Sequence, residues 1–259
     1  MSGARPIFDL PEVDPGLSGV LPSGWLGLLR GMSGSGVSLL AKQFAHAGLG
    51  ASPVHYYSTY ERTDDVERAF RDFRWTPKGL EVINLSDEYY ERILRRDLEV
   101  SRARETGISY RDLADHPTVP LRRRTYNLAN RILADLAGMN GPFRLVLDSL
   151  DFFLEVLDPS EVLMLARQTR HHAQNLGGQV LLVIQPDIHE RRTSGLLEDM
   201  ADLVVDLQGA EPPRDDRRTL LVRKVRNHPE RTQAHAARVT EHGLALFAPE
   251  DRDPPATTG

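Results

Sequence analysis

Residues 31–38 read Gly, Met, Ser, Gly, Ser, Gly, Val, Ser. Glycines without a Cβ let successive backbone N–H groups close around one anion. A hydroxyl two places after the last glycine can ligate Mg2+. The phosphate-loop pattern is Gly, four residues, Gly, Lys, then Ser or Thr. Gly31, Gly36 and Ser38 fit it, and Ser33, Gly34 and Ser35 fill the turn. Val37 occupies the lysine position, and its isopropyl group can neither donate to a phosphate nor spread its charge. The same glycines and serines would also serve an ordinary strand-to-helix turn. Lys42 is the next basic residue, but five positions further along a helix it is expected to point away from the loop.

Other residues could share this chemistry. Asp148 closes the apolar run 143–147; there it could orient Mg2+ through a water, or cap the following helix. Lys224 and Arg226 lie two apart in a strand-like stretch. Strand alternation puts both on one face, toward one anionic target or toward solvent. The absence of cysteine excludes disulfides, thiolate metal sites and thiol catalysis. His171 and His172 are adjacent, so on a helix they diverge by roughly 100° and cannot chelate in the i, i+4 manner.

The elements that must position these groups follow from periodicity. Residues 25–30 read as a buried strand running into the glycine loop, then a helix carrying Leu39, Leu40 and Phe44. Residues 54–59 form a second strand. Asp64 and Asp65 then open a helix with Val66, Ala69, Phe70 and Phe73 on one face. Residues 80–85 form another strand. Residues 86–141 read as a helical insertion: Tyr89, Tyr90, Ile93, Leu94 and Leu98 mark one helix, Pro117 and Pro120 break it, and Tyr126, Ala129, Ile132, Leu133 and Leu136 mark another. Strands at 143–147 and 179–184 enclose a helix over 159–175, the second strand closing on Gln185. Strands follow at 203–207 and 219–225, then a hairpin of 235–239 with 244–247. The expected fold is α/β: one domain over residues 24–248, with a mostly parallel central sheet flanked by helices and a C-terminal antiparallel extension. Residues 1–23 read as an extended arm and turns, and 249–259 as a disordered tail.

Bulk properties narrow the function. A net charge of −5 argues against coating nucleic acid as the main task. Tyr89 and Tyr90 with Arg92, Arg95 and Arg96 are a faint version of a single-strand-binding surface, and an amphipathic helix covering the core is the preferred reading. No apolar run approaches the roughly 18 residues that span a bilayer, so no membrane is expected. Residues 1–9 carry no leader pattern, and a cytoplasmic location is the expectation.

Taken together, the order and spacing of these segments resemble the KaiC-like branch of the RecA superfamily over nearly the whole chain. Residues 13–24 are similar to the family's glycine-rich lead-in to the first strand. The loop is close to the family's Gly-Thr-Ser-Gly-Thr-Gly, apart from Val37. The resemblance implies a RecA-type fold binding ATP with Mg2+ at Ser38 and Asp148, residues 144–149 being similar to the family's Walker B strand. It places Glu61 where the family has paired catalytic glutamates; only one is present, with Tyr60 and Arg62 beside it. Gln185 falls where related ATPases place a γ-phosphate sensor. Residues 217–228 are similar to the segment that, in the family's rings, carries Lys224 and Arg226 toward a neighbour's nucleotide. The implied protein is a weak nucleotide binder or pseudo-ATPase that assembles with itself or with an active paralogue. The alternatives are an active ATPase borrowing a cation (Lys224, Arg226 or Arg62) and a DNA-associated recombination mediator.

Overall fold

The computed structural model describes residues 6–105, 128–209 and 217–247. The expected tail at 249–259, the turn-rich stretch 210–216 and the middle of the insertion lie outside them.

Each strand predicted from an apolar run is present. β1 (Trp25–Arg30), β2 (Val54–Ser58), β3 (Leu80–Asn84), β4 (Arg144–Asp148), β5 (Gln179–Ile184) and β6 (Leu203–Gly209) pair in parallel in the order β3-β2-β4-β5-β1-β6. β7 (Arg217–Val225), β8 (Gln233–Thr240) and β9 (Gly243–Phe247) extend this sheet antiparallel beyond β6. The fold is therefore the RecA-type α/β arrangement. A parallel sheet needs both faces covered, and the period-2 alternation within single strands shows that they are. In β5, Leu181 and Val183 enter one core while Val180, Leu182 and Ile184 enter the other; in β1, Trp25 and Leu29 oppose Leu26 and Leu28.

The first core is covered by α2 (Val37–His46), α3 (Thr63–Asp72) and the C-terminal hairpin. The second lies under α5 (Leu128–Ala137), α6 (Leu150–Val156), α7 (Pro159–Leu176) and α8 (Arg191–Met200). Between β3 and α5 lies α4 (Leu85–Glu105). α7 starts on a capping box between Asp158 and Glu161 and ends at Gly177 with φ +72°, the residue types that favour those positions.

The N-terminal segment differs from the extended arm expected of its Pro and Gly content. Residues 14–18 form α1 (Asp14–Ser18), and Ile7, Phe8, Leu10, Val13 and Leu17 are each at most 2% exposed. Asp14 organises the turn: its carboxylate accepts the N–H groups of Ile7, Phe8 and Leu10. Arg144 fastens the segment to the sheet by donating to Pro6 O and Ile7 O. Five apolar residues among the prolines outweigh local turn propensity, because each is worth about 1.5–3 kcal/mol when buried.

Candidate functional site

β1 delivers the chain into the glycine loop, and the loop's geometry depends on its glycines. Gly34 and Gly36 adopt φ +84° and +92°, the left-handed region. Gly31 has no room for a side chain: a Cβ there would come within 2.5 Å of Ser35 Oγ, 2.8 Å of Val37 Cβ and 3.0 Å of Leu207 O. Ser33 and Gly34 are exposed at the tip, whereas Ser35 is 2% exposed and its hydroxyl has no hydrogen-bond partner among the described residues. Gly36 is the N-cap of α2, whose first-turn N–H groups lack intrahelical acceptors. The loop thus combines orphan backbone donors, the positive end of a helix dipole and an unpaired buried hydroxyl, a set suited to an anion. Val37 opens α2 and contributes none of the positive charge a lysine would.

On the flank facing β4 and β2 lies a carboxylate cluster. Ser38, on the first turn of α2, places Oγ 3.4 Å from Asp148 Oδ1 at the end of β4. Tyr56 OH donates to Asp148 Oδ2 at 2.6 Å. Burial pushes the Asp148 carboxyl above the usual range; Lys42 and the hydrogen bonds from Tyr56 and Ser38 oppose this without overcoming it. The same burial and the nearby Asp148 charge push the Tyr56 phenol well up, so it stays protonated as a donor. Ser38 and Asp148 are together, as the sequence predicts, and their oxygens suit a hard divalent cation.

Lys42 corrects its expectation. Expected to point away from the loop, it enters the cluster that holds Ser38 and Asp148: its side chain is 4% exposed and Nζ stands 2.5 Å from Glu61 Oε2. Glu61 itself is held by Ser58, whose hydroxyl accepts the Glu61 N–H at 2.9 Å.

On the other flank, toward β6 and β7, a cleft of about 720 Å3 opens, within the range that small ligands occupy. Gly31 to Ser35 line it together with Asp206, Arg30, Arg218 and Arg223. Arg30 and Arg223 both pair with Asp206, at 3.4 and 3.2 Å. Arg218 instead donates from Nε to Ser35 O at 2.8 Å. It belongs to the loop's surroundings, and the sequence reading did not single it out.

The remaining expected site residues lie elsewhere. Gln185 follows β5 and lines an adjacent cleft with Arg30, His189 and Glu198 rather than the loop's own. Its N–H is accepted by Asp151, which also meets Ser149 Oγ at 2.8 Å and His189 Nε2 at 2.6 Å. Lys224 and Arg226 do share one target, but it is the C-terminal end of α8. Lys224 donates to Glu198 O and Asp199 O, and Arg226 to Met200 O and Ala201 O, while Arg226 Nε pairs with Asp202 at 2.8 Å. Cations belong at a helix C-terminus, and β7 runs antiparallel to β6, so this pair sits at the end of the sheet opposite the loop. A register shift at Val204/Val205 interrupts simple alternation just before it.

Tyr89 and Tyr90 pack on Phe152 with ring centroids 5.6 and 6.1 Å apart, so this aromatic pair covers core, although Tyr90 remains exposed. The side chains of Arg92 and Arg96 lie outside the described set. His171 meets Asn175 and His172 meets Phe143; no cluster of metal-binding side chains occurs among the described residues. No helix among them is long and apolar enough to cross a membrane.

Comparison with known proteins agrees with this fold. The family model described as "ATPase: KaiC" matches residues 9–251. Among solved structures, a KaiC-like protein from the hyperthermophilic archaeon Pyrococcus horikoshii OT3 superposes with a TM-score of 0.60 at 19% identity, covering 94% of this chain and 99% of that one. No curated protein matches the sequence.

Proposed function

Because the chain belongs to the KaiC family of ATPases, we propose that it is a RecA-fold nucleotide binder in which hydrolysis is weak or lost. It then acts as a regulatory or assembly subunit, through contacts with its own copies or with an active paralogue. The observation that carries this reading is Val37 at the lysine position of an otherwise well-formed loop. Stabilising the charge that develops on a transferring phosphoryl group is the main catalytic task of such sites, and an isopropyl group supplies none of it.

The Lys42–Glu61 pair supports the same conclusion. A general base must be within reach of its water with a lone pair to offer, and an ammonium group 2.5 Å from Glu61 Oε2 stabilises the charged carboxylate and so weakens it as a base. Ser38 and Asp148 would hold Mg2+, which supplies charge neutralisation on the bound phosphates. The backbone donors of the loop and Ser35 would hold the phosphates themselves. Retained binding with lost turnover suits a nucleotide used as a structural ligand. Lys224 and Arg226, remote from their own loop, fit a role at a subunit boundary and not in cis.

Steady-state phosphate release tests the catalytic half of this reading. Wild type and Glu61→Gln are expected to release phosphate at the same background rate. Turnover in the wild type that falls in Glu61→Gln would restore Glu61 as a working base and overturn the assignment. Sedimentation with and without ATP tests assembly: a nucleotide-dependent change in particle mass is expected, and a monomer under both conditions contradicts self-assembly.

A further inference from the structure

We infer that the Lys42 ammonium holds the place of a divalent cation between Glu61 and Asp148, so that an uncharged side chain at position 42 turns this cluster into a metal site that needs no nucleotide. The inference rests on the reading above, in which Ser38 and Asp148 face the metal of a bound nucleotide. It names the residue that makes entry of the metal conditional on phosphate.

The elements bring the groups together. Ser38 and Lys42 stand four residues apart on α2, hence on one helix face. Ser58 and Asp148 are register partners in β2 and β4, so Glu61, three residues beyond Ser58, emerges at the same end of the sheet as Asp148. α2 thus presents a hydroxyl and an ammonium to two carboxylates. Ser38 Oγ meets Asp148 Oδ1 at 3.4 Å, and Lys42 Nζ meets Glu61 Oε2 at 2.5 Å. Nζ also lies 5.7 Å from the centre of the Tyr56 ring, within cation–π range, and Tyr56 OH donates to Asp148 Oδ2 at 2.6 Å. The ammonium therefore stands among the groups that surround Asp148. Burial pushes the Asp148 carboxyl up, and Lys42 is the strongest influence holding it down.

Charge and burial explain why a cation is needed here and why a second one is kept out. Lysine is almost never fully buried without a counter-charge, yet Lys42 is 3% exposed and Asp148 7%. Carboxylate and hydroxyl oxygens are the donors a hard divalent cation takes. The ammonium neutralises part of their charge and repels a free metal ion at short range, where water screens poorly. The phosphates of a nucleotide bring the negative charge that outweighs this repulsion. Lysine suits the task as a compact point charge on a flexible stem. It can stay on Glu61, the more exposed partner, when a metal–phosphate complex reaches Asp148.

Calorimetric titration of the nucleotide-free protein with MnCl2 tests this in wild type, Lys42→Met, Lys42→Gln and Lys42→Met with Asp148→Asn. Lys42→Gln keeps a donor for Glu61 and serves should Lys42→Met not fold. Melting temperatures with and without Mn2+ check folding and report binding a second way. Wild type is expected to show no saturation by millimolar Mn2+ and no rise in melting temperature. Both Lys42 variants are expected to bind Mn2+ at least about tenfold more tightly than wild type, the effect of removing one nearby like charge. Adding Asp148→Asn is expected to abolish the gain. Equal Mn2+ affinity in wild type and the Lys42 variants overturns the inference and leaves the nucleotide reading standing. A gain that survives Asp148→Asn places the metal elsewhere and also overturns it. So does a wild type whose melting temperature rises as much in Mn2+ alone as in Mn2+ with ATP, an arm that needs no variant. A fluorescent ATP analogue that fails to bind wild type with or without Mn2+ overturns the nucleotide reading itself.

Discussion

Lys42 and Glu61 form an ion pair, Nζ to Oε2 at 2.5 Å, in which the lysine is almost wholly buried and the glutamate side chain is 38% exposed. The ammonium also lies near Asp148 and partly offsets the upward push that burial gives that carboxyl. One buried cation thus serves two carboxylates, and their unequal burial decides which depends on it more.

Removing the cation is expected to separate them. Lys42→Met should destabilise the protein by about 3 kcal/mol, the scale of leaving a buried charge without its partner. The pair with Glu61 accounts for about 1 kcal/mol of that, because water screens a partly exposed glutamate. Adding Asp148→Asn to Lys42→Met should therefore recover more stability than adding Glu61→Gln. Urea midpoints of the two double variants check the order, and a larger recovery from Glu61→Gln contradicts it.

Asp202 gives a pH dependence of definite sign. It is 1% exposed and accepts from Arg170, Arg226 and the Leu26 N–H. Burial pushes its carboxyl up, but Arg170, the Leu26 N–H and Arg226 together bring it below the ordinary value. With the folded value below the unfolded one, the contribution is complete above about pH 4 and is lost as pH falls through the folded value. Asp202→Asn should cost about 3 kcal/mol at pH 7. Its deficit against wild type should shrink in denaturant melts at pH 3, and an equal deficit at both pH values contradicts the assignment.

The N-terminal segment is expected to be indispensable. Deleting residues 1–13 removes Ile7, Phe8, Leu10 and Val13 from the core, at about 1.5–3 kcal/mol each. The sum rivals the whole stability of a typical domain, about 5–15 kcal/mol. The truncated chain should show no cooperative thermal transition; a transition near that of the full chain would contradict the packing role.

Much of the architecture is legible in the sequence because apolar runs such as 179–184 and 203–207 are long enough to mark buried parallel strands. Gly31, Gly36 and Ser38 could be placed because a glycine loop between strand and helix is a local pattern, and Asp148 because it ends an apolar run. What was not legible depends on contacts far apart in the chain. α8 opens Arg-Arg-Thr-Ser-Gly, with little apolar periodicity to mark it. Lys42 reaches Glu61 only because α2 packs beside β2, and Arg218 reaches Ser35 only through the β6–β7 register. Strand alternation suggests one shared side for Lys224 and Arg226, but β7 ends at Val225 with a register shift just before, and their common target at the end of α8 is not legible. The buried N-terminal segment hides its apolar residues among prolines and glycines.

The central claim is that this loop holds a nucleotide despite Val37. Titrating the purified protein with a fluorescent ATP analogue, with and without Mg2+, tests it most directly. Saturable binding with a midpoint below about 1 mM, tightened by Mg2+ and competed by unlabelled ATP, is the expected result. No saturation up to millimolar analogue would contradict it.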